Sequence, residues 1–509
     1  MALTLLHLDL ILAISVIYLL LRLVARKRHA LPLPPGPEGY PIIGNVLEMP
    51  HSHEWFTFAR WSEKYGDIFS LNLLGQPLVV LGSYEHAMNL LDKRSSIYCD
   101  RPILTMGGEL VGWKKILVLV RPGERFREYR RLMNRLVGGK TAVQQQYDLQ
   151  RRQTHMYLRS VLQDPDNLPD HIRLNAGSVI LMVTHGYPVQ GGDDPIIEVV
   201  DRATTQFAMV TSPGAFLVDV FPILRHVPSW FPGASFKRKA AEWNRTINEM
   251  ADMPHEFTKS QMRKGIHVPS YTSILMETEE NTPDKEEHIK WSAASIYAAG
   301  ADTTVSAIYA FYLAMALYPE VQSKAQEEID WVVGSDRLPD FSDRESLPYV
   351  EALLKEVLRW FTTGPLAVPH VTTEDDVYQG YCIPKGTYVI ANVWKMLHDP
   401  RTYPDPMMFN PERFLGDHPQ QDPAQMAFGF GRRICPGQVM ADASLFISIA
   451  MSLSVFNVSK AKDEQGNVIT PIPESTSGTI SHPKPFKCSI TPRNSKAEAL
   501  ILSDPETKS

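Results

Sequence analysis

Residues 428–437 read FGFGRRICPG, a glycine-bearing turn that carries one cysteine and leads into helix-forming sequence. Pro436 suits the first turn of that helix, where a missing backbone N–H costs nothing, and we expect the helix to continue to Leu453. The sulfur of Cys435 would then lie over the positive end of the helix, which favours the thiolate. A thiolate held in this way is either a nucleophile or a metal ligand.

The neighbours of Cys435 favour the metal ligand. No histidine or asparagine stands close enough in sequence to suggest a base, whereas Phe428 and Arg433 suit a flat, apolar macrocycle that carries carboxylates. A buried structural cysteine beside a turn is the alternative. The stretch resembles the haem-ligand pattern F-x-x-G-x-R-x-C-x-G of the cytochrome P450 haem-thiolate monooxygenases, which it matches at Phe428, Gly431, Arg433, Cys435 and Gly437.

This resemblance implies a cofactor and a set of contacts to it. The cofactor would be haem b (iron protoporphyrin IX), with the thiolate of Cys435 as the axial ligand. Further haem contacts are implied for Phe428, Gly429, Gly437 and, on a distal helix, Ala299.

The two haem propionates need cationic or donor partners. Arg433 is part of the cysteine pattern, and Arg130 matches the arginine of the family's W-x-x-x-R helix. Phe126 stands where that helix usually has a tryptophan, so one N–H donor is lost or replaced. His370 resembles the propionate-binding histidine of the family, with an ordinary loop histidine as the alternative.

The segment Ala299-Gly300-Ala301-Asp302-Thr303-Thr304 interrupts a long apolar helix predicted over Glu286–Leu317. Gly300 costs about 1 kcal/mol relative to alanine, and an unpaired buried carboxylate at Asp302 would be expensive. By itself this is a helix kink or a solvated acid. The segment also resembles the family's oxygen-activation motif [AG]-G-x-[DE]-T-[TS], which implies that Thr303 and Asp302 are catalytic and that Asp302 supplies protons.

Glu356 and Arg359 lie three residues apart on a predicted helix and therefore share one face. Taken alone they indicate an exposed salt bridge of little energetic value. The segment Phe409-Asn410-Pro411-Glu412-Arg413-Phe414 resembles the loop whose arginine completes the E-x-x-R triad of the family. The resemblance implies a structural ion-pair triad of Glu356, Arg359 and Arg413.

By analogy with the family, four segments should line a substrate pocket. Their residues are apolar or small, which suits a lipophilic substrate held by burial. The expected lining residues are Leu104, Met106, Phe207, Leu366, Ala367, Val368 and Ile480.

The N-terminus predicts a membrane anchor. Leu3–Leu21 is largely apolar and is followed by Arg22, Arg26, Lys27 and Arg28. This order places the main body in the cytosol, while Asp9 leaves an amphipathic surface helix as the alternative. We expect a transmembrane signal anchor over residues 1–29, a proline-rich hinge over 30–40 and a catalytic domain over 41–509.

Composition and local patterns predict an α+β fold that is predominantly helical, with small peripheral sheets. Short strands are expected at Ile68–Leu74, Pro77–Leu81, Tyr388–Asn392 and Ser477–Ile480. A net charge of −6 does not indicate nucleic-acid binding. The four cysteines are too scattered for a disulfide framework or a zinc site. The resemblance implies the cytochrome P450 fold.

Together these features predict a haem-thiolate monooxygenase of the endoplasmic reticulum membrane. It would insert one atom of O2 into a lipophilic molecule, a terpenoid or related fungal secondary metabolite, by hydroxylation or epoxidation. The chain has no dinucleotide-binding pattern of its own, so NADPH-derived electrons would come from NADPH–cytochrome P450 reductase, with cytochrome b5 as a second donor. The alternatives are a haem-thiolate isomerase or dehydratase that acts on peroxides without O2, and a non-catalytic membrane haem sensor.

Overall fold

The computed structural model describes residues 31–135, 137–191, 193–211, 215–280 and 282–503. The expected anchor over residues 1–29 lies outside the described residues. The architecture is α+β with helices in the majority, as the sequence predicts.

Most of the body is helical. Among the described residues, the helices of eight or more residues are α1 (Glu54–Tyr65), α2 (Glu124–Asn134), α3 (Tyr147–Gln163), α4 (Leu168–His185), α5 (Pro195–Thr211), α6 (Ser235–Lys264), α7 (Tyr271–Thr278), α8 (Pro283–Leu317), α9 (Pro319–Val332), α10 (Pro348–Trp360), α11 (Gln438–Val455) and α12 (Ser495–Leu502).

The strands form small sheets at the edges of the helical body. In chain order they are β1 (Ile68–Leu73), β2 (Gln76–Leu81), β3 (His370–Val371), β4 (Asp376–Tyr378), β5 (Tyr381–Ile383), β6 (Tyr388–Ala391), β7 (Phe456–Lys462), β8 (Val468–Ile469) and β9 (Cys488–Pro492). The largest sheet has the order β1-β2-β6-β3, in which β2 and β6 run parallel and the other pairs antiparallel. The predicted strand at Ser477–Ile480 is absent; those residues form an irregular segment beside α8.

Helix α8 runs through the centre of the molecule. Thr282 caps its N-terminus by accepting a hydrogen bond from the Lys285 N–H, and Pro283 occupies the first turn. Its alanine-rich sequence lets neighbouring helices approach closely. A Cβ added at Gly300 would lie 3.0 Å from Cγ1 of Ile180 on α4, so the glycine is needed for helix packing.

Helix α11 follows the cysteine turn and crosses the core. It begins at Gln438, and Pro436 lies in the turn ahead of it rather than in its first turn as predicted. By length and composition α11 could span a membrane, as could the sharply bent pair α8–α9, among the described residues. Because 67% of the apolar window of α11 is buried inside the protein, we interpret it as a core helix.

The proline-rich segment is attached to the body. The carbonyls of Pro34 and Pro35 accept hydrogen bonds from the Ser70 hydroxyl and N–H at 2.6 and 2.8 Å. Gly36 passes so close to β1 that an added Cβ would overlap the Ser70 carbonyl oxygen. The described part of the expected hinge therefore packs along the sheet.

Candidate active site

The cysteine loop is shaped by its glycines. Gly429 and Gly431 have φ values of +78° and +54°, in the left-handed region that glycine adopts without strain. A Cβ on Gly431 would overlap the carbonyl oxygen of Leu91. The N–H of Cys435 donates to the Phe428 carbonyl at 2.8 Å, which closes the loop around the sulfur.

The environment of the Cys435 sulfur differs from the expectation. Burial raises the pKa of the Cys435 thiol, while the Gly437 N–H and the charge of Arg130 act in the opposite direction without overcoming it. The helix terminus favours the thiolate but does not by itself outweigh burial. A bound metal cation, which deprotonates a coordinating thiol outright, would supply the missing stabilisation.

A cavity of about 400 Å³ lies between the cysteine loop and α8. Cys435, Phe428, Gly429 and Gly437 line it from the loop side, and Ala299, Gly300 and Thr303 line it from the helix side. Apart from Cys435, its charged or titratable lining residues, within the described part of the chain, are His370 and three arginines, Arg101, Arg130 and Arg433. No described aspartate or glutamate lines this cavity.

The three arginines and His370 form a cationic edge of the cavity, and Arg433 belongs to it. Its Nε–H donates to the Cys99 carbonyl at 2.7 Å, whereas Nη1 and Nη2 are buried without a hydrogen-bond partner among the described residues. The guanidinium lies over the ring of Phe126, the residue that replaces the usual tryptophan. Burial lowers the pKa of Arg433 to about 10, and its two unpartnered nitrogens are available to an anion in the cavity.

Arg101 is a member of this edge that the sequence analysis missed. It is buried, its Nη1–H donates to the Val368 and Pro369 carbonyls at 2.5 and 2.9 Å, and its Nε has no partner among the described residues. Burial, reinforced by the charge of Arg433, lowers the pKa of Arg101 to about 9. Arg101 stands between Asp100 and Pro102 and belongs to no motif, so the sequence offered no signal for it.

The other two predicted propionate partners also line the cavity. Arg130 donates from Nη1 to the Ile434 carbonyl at 2.7 Å. His370 is buried, and its Nδ1–H donates to the Tyr98 carbonyl at 2.7 Å. Burial lowers the pKa of His370 well below its ordinary value, and a neutral ring protonated at Nδ1 leaves Nε2 as an acceptor. His370 could donate to a carboxylate only in its doubly protonated form.

The structure separates the two predicted catalytic residues. Thr303 lines the cavity, and its hydroxyl donates to the Ala299 carbonyl at 2.9 Å. Asp302 is not among the cavity-lining residues. Its Oδ1 instead lies 3.0 Å from Nε2 of His482.

The predicted ion-pair triad is brought together. Arg359 donates from Nε and Nη2 to the two carboxylate oxygens of Glu356 at 2.7 and 2.8 Å. Arg413 donates from Nε to Oε1 of Glu356 at 3.2 Å, and the Asn410 N–H reaches the same oxygen at 2.7 Å. All three charged side chains are buried, so the interpretation as an exposed pair is wrong.

Four of the predicted pocket residues line the cavity, namely Phe207, Ala367, Val368 and Ile480. Three do not. Met106 belongs to a core cluster that includes residues of α6, and Leu104 packs against the same cluster. Leu366 packs against the cluster that includes residues of β1 and β2. Position in the chain could not show which side of each segment faces inward. Lining residues that were missed include Trp113, Ile180, Ile296 and Thr304.

Comparison with known proteins identifies the family. A family model described as cytochrome P450 matches residues 34–490. The chain belongs to the cytochrome P450 family. It is 51% identical over 494 residues to cytochrome P450 monooxygenase 208 of Postia placenta, covering 96% of each chain. It is 48% identical over 494 residues to cytochrome P450 monooxygenase claR of Ampulloclitocybe clavipes, covering 96% of this chain and 91% of that one.

A more distant relative is cytochrome P450 monooxygenase ppsD of Aspergillus oryzae, 42% identical over 479 residues that cover 92% of this chain and 90% of that one. The chain is thus a cytochrome P450 monooxygenase of fungal type, an oxidoreductase. Proteins of this family use haem b bound through a cysteine thiolate, with O2 and NADPH-derived electrons as cosubstrates.

The cavity of this cytochrome P450 fits such a cofactor. A flat macrocycle with two carboxylates would pair with the unpartnered nitrogens of Arg101 and Arg433. Those nitrogens are costly while they remain unpaired. The remaining walls are mainly apolar, as a porphyrin face requires, and Cys435 supplies the one thiol among the described lining residues.

Proposed function

We propose that this monooxygenase inserts one oxygen atom into a lipophilic small molecule, with Cys435 as the axial haem ligand. The observation that carries the proposal is the cavity itself, which extends from Cys435 to Thr303 and has a mainly apolar lining. When bound, haem supplies the chemistry of oxygen activation, favoured by the thiolate ligand. The lining away from the arginines holds its substrate by burial rather than by charge.

In this proposal each site residue has a distinct task. Arg101, Arg130 and Arg433 hold the propionates, with His370 as a further partner in its protonated form. Ala299 and Gly300 let a flat ligand approach α8, and Thr303 presents its hydroxyl to the cavity. Asp302 supplies protons from the far side of the helix. The buried triad of Glu356, Arg359 and Arg413 fixes the region beneath the cysteine loop and takes no part in chemistry.

The remaining parts of the proposal concern the setting of the enzyme. Residues 1–29 anchor it in the endoplasmic reticulum membrane, residues 30–40 connect the anchor to the body, and residues 41–509 form the catalytic domain in the cytosol. NADPH–cytochrome P450 reductase delivers the electrons, with cytochrome b5 as a second donor. A terpenoid or related fungal secondary metabolite is the substrate class that we favour, because the distal lining is apolar.

The test is co-expression with a fungal reductase and comparison of extracted metabolites with those of a Cys435→Ser strain. The reduced, CO-bound protein should show the red-shifted Soret band of thiolate ligation, and Cys435→Ser should abolish it. Oxygen- and NADPH-dependent loss of a lipophilic metabolite, absent in the variant, would support the proposal. Turnover of a hydroperoxide without reductase, and no O2-dependent product, would favour an isomerase or dehydratase instead.

A further inference from the structure

The partner of Asp302 lies on a segment far away in sequence. Nε2 of His482 is 3.0 Å from Oδ1 of Asp302, and the two side chains are 26% and 22% exposed. The pair is thus half-buried on the solvent-facing side of α8. Thr303, the next residue on the helix, faces the cavity, so the pair stands between solvent and the site.

The backbone around His482 is fixed on both sides. The His482 N–H donates to the Thr476 hydroxyl at 2.9 Å, and the Thr476 N–H donates to the His482 carbonyl at 2.8 Å. The neighbouring Ser481 carbonyl accepts a hydrogen bond from the hydroxyl of Ser306 on α8 at 2.7 Å. Ser306 lies one turn after Asp302, so the same helix positions both members of the pair.

Other charged groups face the pair from the helices packed around it. Asp201 of α5 interacts with both Asp302 and His482, and Arg173 and Asp170 of α4 complete the group. Burial raises the pKa of Asp201 to about 6, and the charge of Asp302 adds to that effect while Arg173 and His482 oppose it. Charged side chains of α4 and α5 therefore gather beside the pair at this side of α8.

We propose that His482 is the entry point for the protons that Asp302 delivers to the site, an inference that rests on the proposed function. The protonated imidazole gives the proton on Nε2 to Oδ1 of Asp302, which leaves a neutral imidazole and a carboxylic acid. The imidazole takes up a new proton from solvent. Asp302 then turns toward the cavity that Thr303 lines, releases its proton there and returns to His482 as a carboxylate. No electrons move in these steps.

The experiment compares two substitutions that separate proton transfer from placement. His482→Gln keeps an N–H donor for Asp302 but cannot carry a proton, whereas His482→Phe removes both properties. Asp302→Asn is the positive control. Lys484→Gln, which breaks an exposed ion pair with Glu474 on the same segment, is the matched neutral control. Each holoenzyme is assayed with reductase for NADPH oxidation in H2O and D2O across pH, and crystal structures report the position of residue 302.

We expect both His482 variants and Asp302→Asn to slow NADPH oxidation by about a hundredfold or more, since a positioned proton donor contributes about 10²–10⁴. The solvent isotope effect should increase. The double variant that combines His482→Gln with Asp302→Asn should oxidise NADPH no more slowly than either single variant. In crystals of His482→Gln, Asp302 should stay where it is.

A His482→Gln protein with wild-type rate, pH profile and isotope effect would overturn the proposal. So would a displaced Asp302 in that variant, or loss of the CO-bound Soret band in both His482 variants but not in Lys484→Gln, because His482 would then be a structural residue. Failure of the proposed function would give a different result, because the wild-type protein itself would then lack O2-dependent NADPH oxidation.

Discussion

The guanidinium carbon of Arg433 lies 4.0 Å from the centre of the Phe126 ring. In this family a tryptophan usually donates an N–H from the position of Phe126, and a phenylalanine cannot. The aromatic face instead stabilises the cation and leaves Nη1 and Nη2 free of protein partners among the described residues. In the proposed haem site, the oriented Arg433 and the adjacent Arg101 would take the place of the missing donor.

Replacing Phe126 should weaken haem retention. Phe126→Leu removes a cation–π contact of about 0.5–2 kcal/mol, so haem should transfer to an excess of apomyoglobin roughly twofold to thirtyfold faster. Phe126→Trp keeps the aromatic face, restores an N–H donor and should slow the transfer. Equal rates in the three proteins would show that the stacking on Arg433 has no energetic role.

Arg101 should matter for haem although no motif indicates it. Arg101→Gln removes a buried cation from the propionate edge, and haem release should become about tenfold faster or more, because hydrogen bonds to charged groups contribute about 1.5–3 kcal/mol. Arg121→Gln is the control, since Arg121 is exposed and pairs with Asp100. Matching release rates in the two variants would remove Arg101 from the propionate site.

Gly431 and Gly429 offer a matched test of the cysteine loop. Both have positive φ, so alanine at either position has a strain of roughly 1–2 kcal/mol. Only at Gly431 would the new Cβ also overlap backbone, the Leu91 carbonyl oxygen; at Gly429 the nearest atom is 3.8 Å away. Gly431→Ala should therefore unfold at a clearly lower denaturant concentration than Gly429→Ala, and the reverse order would contradict the loop geometry.

The sequence predicted the parts of the site that are local in the chain. The cysteine loop, the Ala299–Thr304 segment and the E-x-x-R pair each show their chemistry within ten residues. Arg101 and His482 were missed because their partners are distant in sequence. Arg101 bonds to Val368, and His482 pairs with Asp302.

Helix α10 allows a comparison of buried and surface charges. Glu356→Gln leaves Arg359 and Arg413 buried without a carboxylate, which should lower the free energy of unfolding by about 3–5 kcal/mol. Glu351→Gln, on the same helix, breaks a more exposed contact with Arg344 and should cost under about 1 kcal/mol. Denaturant titration of both proteins measures the difference. A similar small loss in both would show that the triad does not stabilise the fold.

Asp201 should make the stability of the protein depend on pH. Its folded-state pKa of about 6 lies above the ordinary 3.8, so the folded state holds the proton more tightly than the unfolded state does. This contribution is fully present below about pH 4, falls as the pH rises through 6 and is gone above it. Asp201→Asn does not titrate. Its free energy of unfolding minus that of the wild type should therefore be larger at pH 8 than at pH 4, by about 1–3 kcal/mol. Denaturant titrations at the two pH values measure this, with the exposed Asp417→Asn as the control; an equal pH response in both variants would contradict the raised pKa of Asp201.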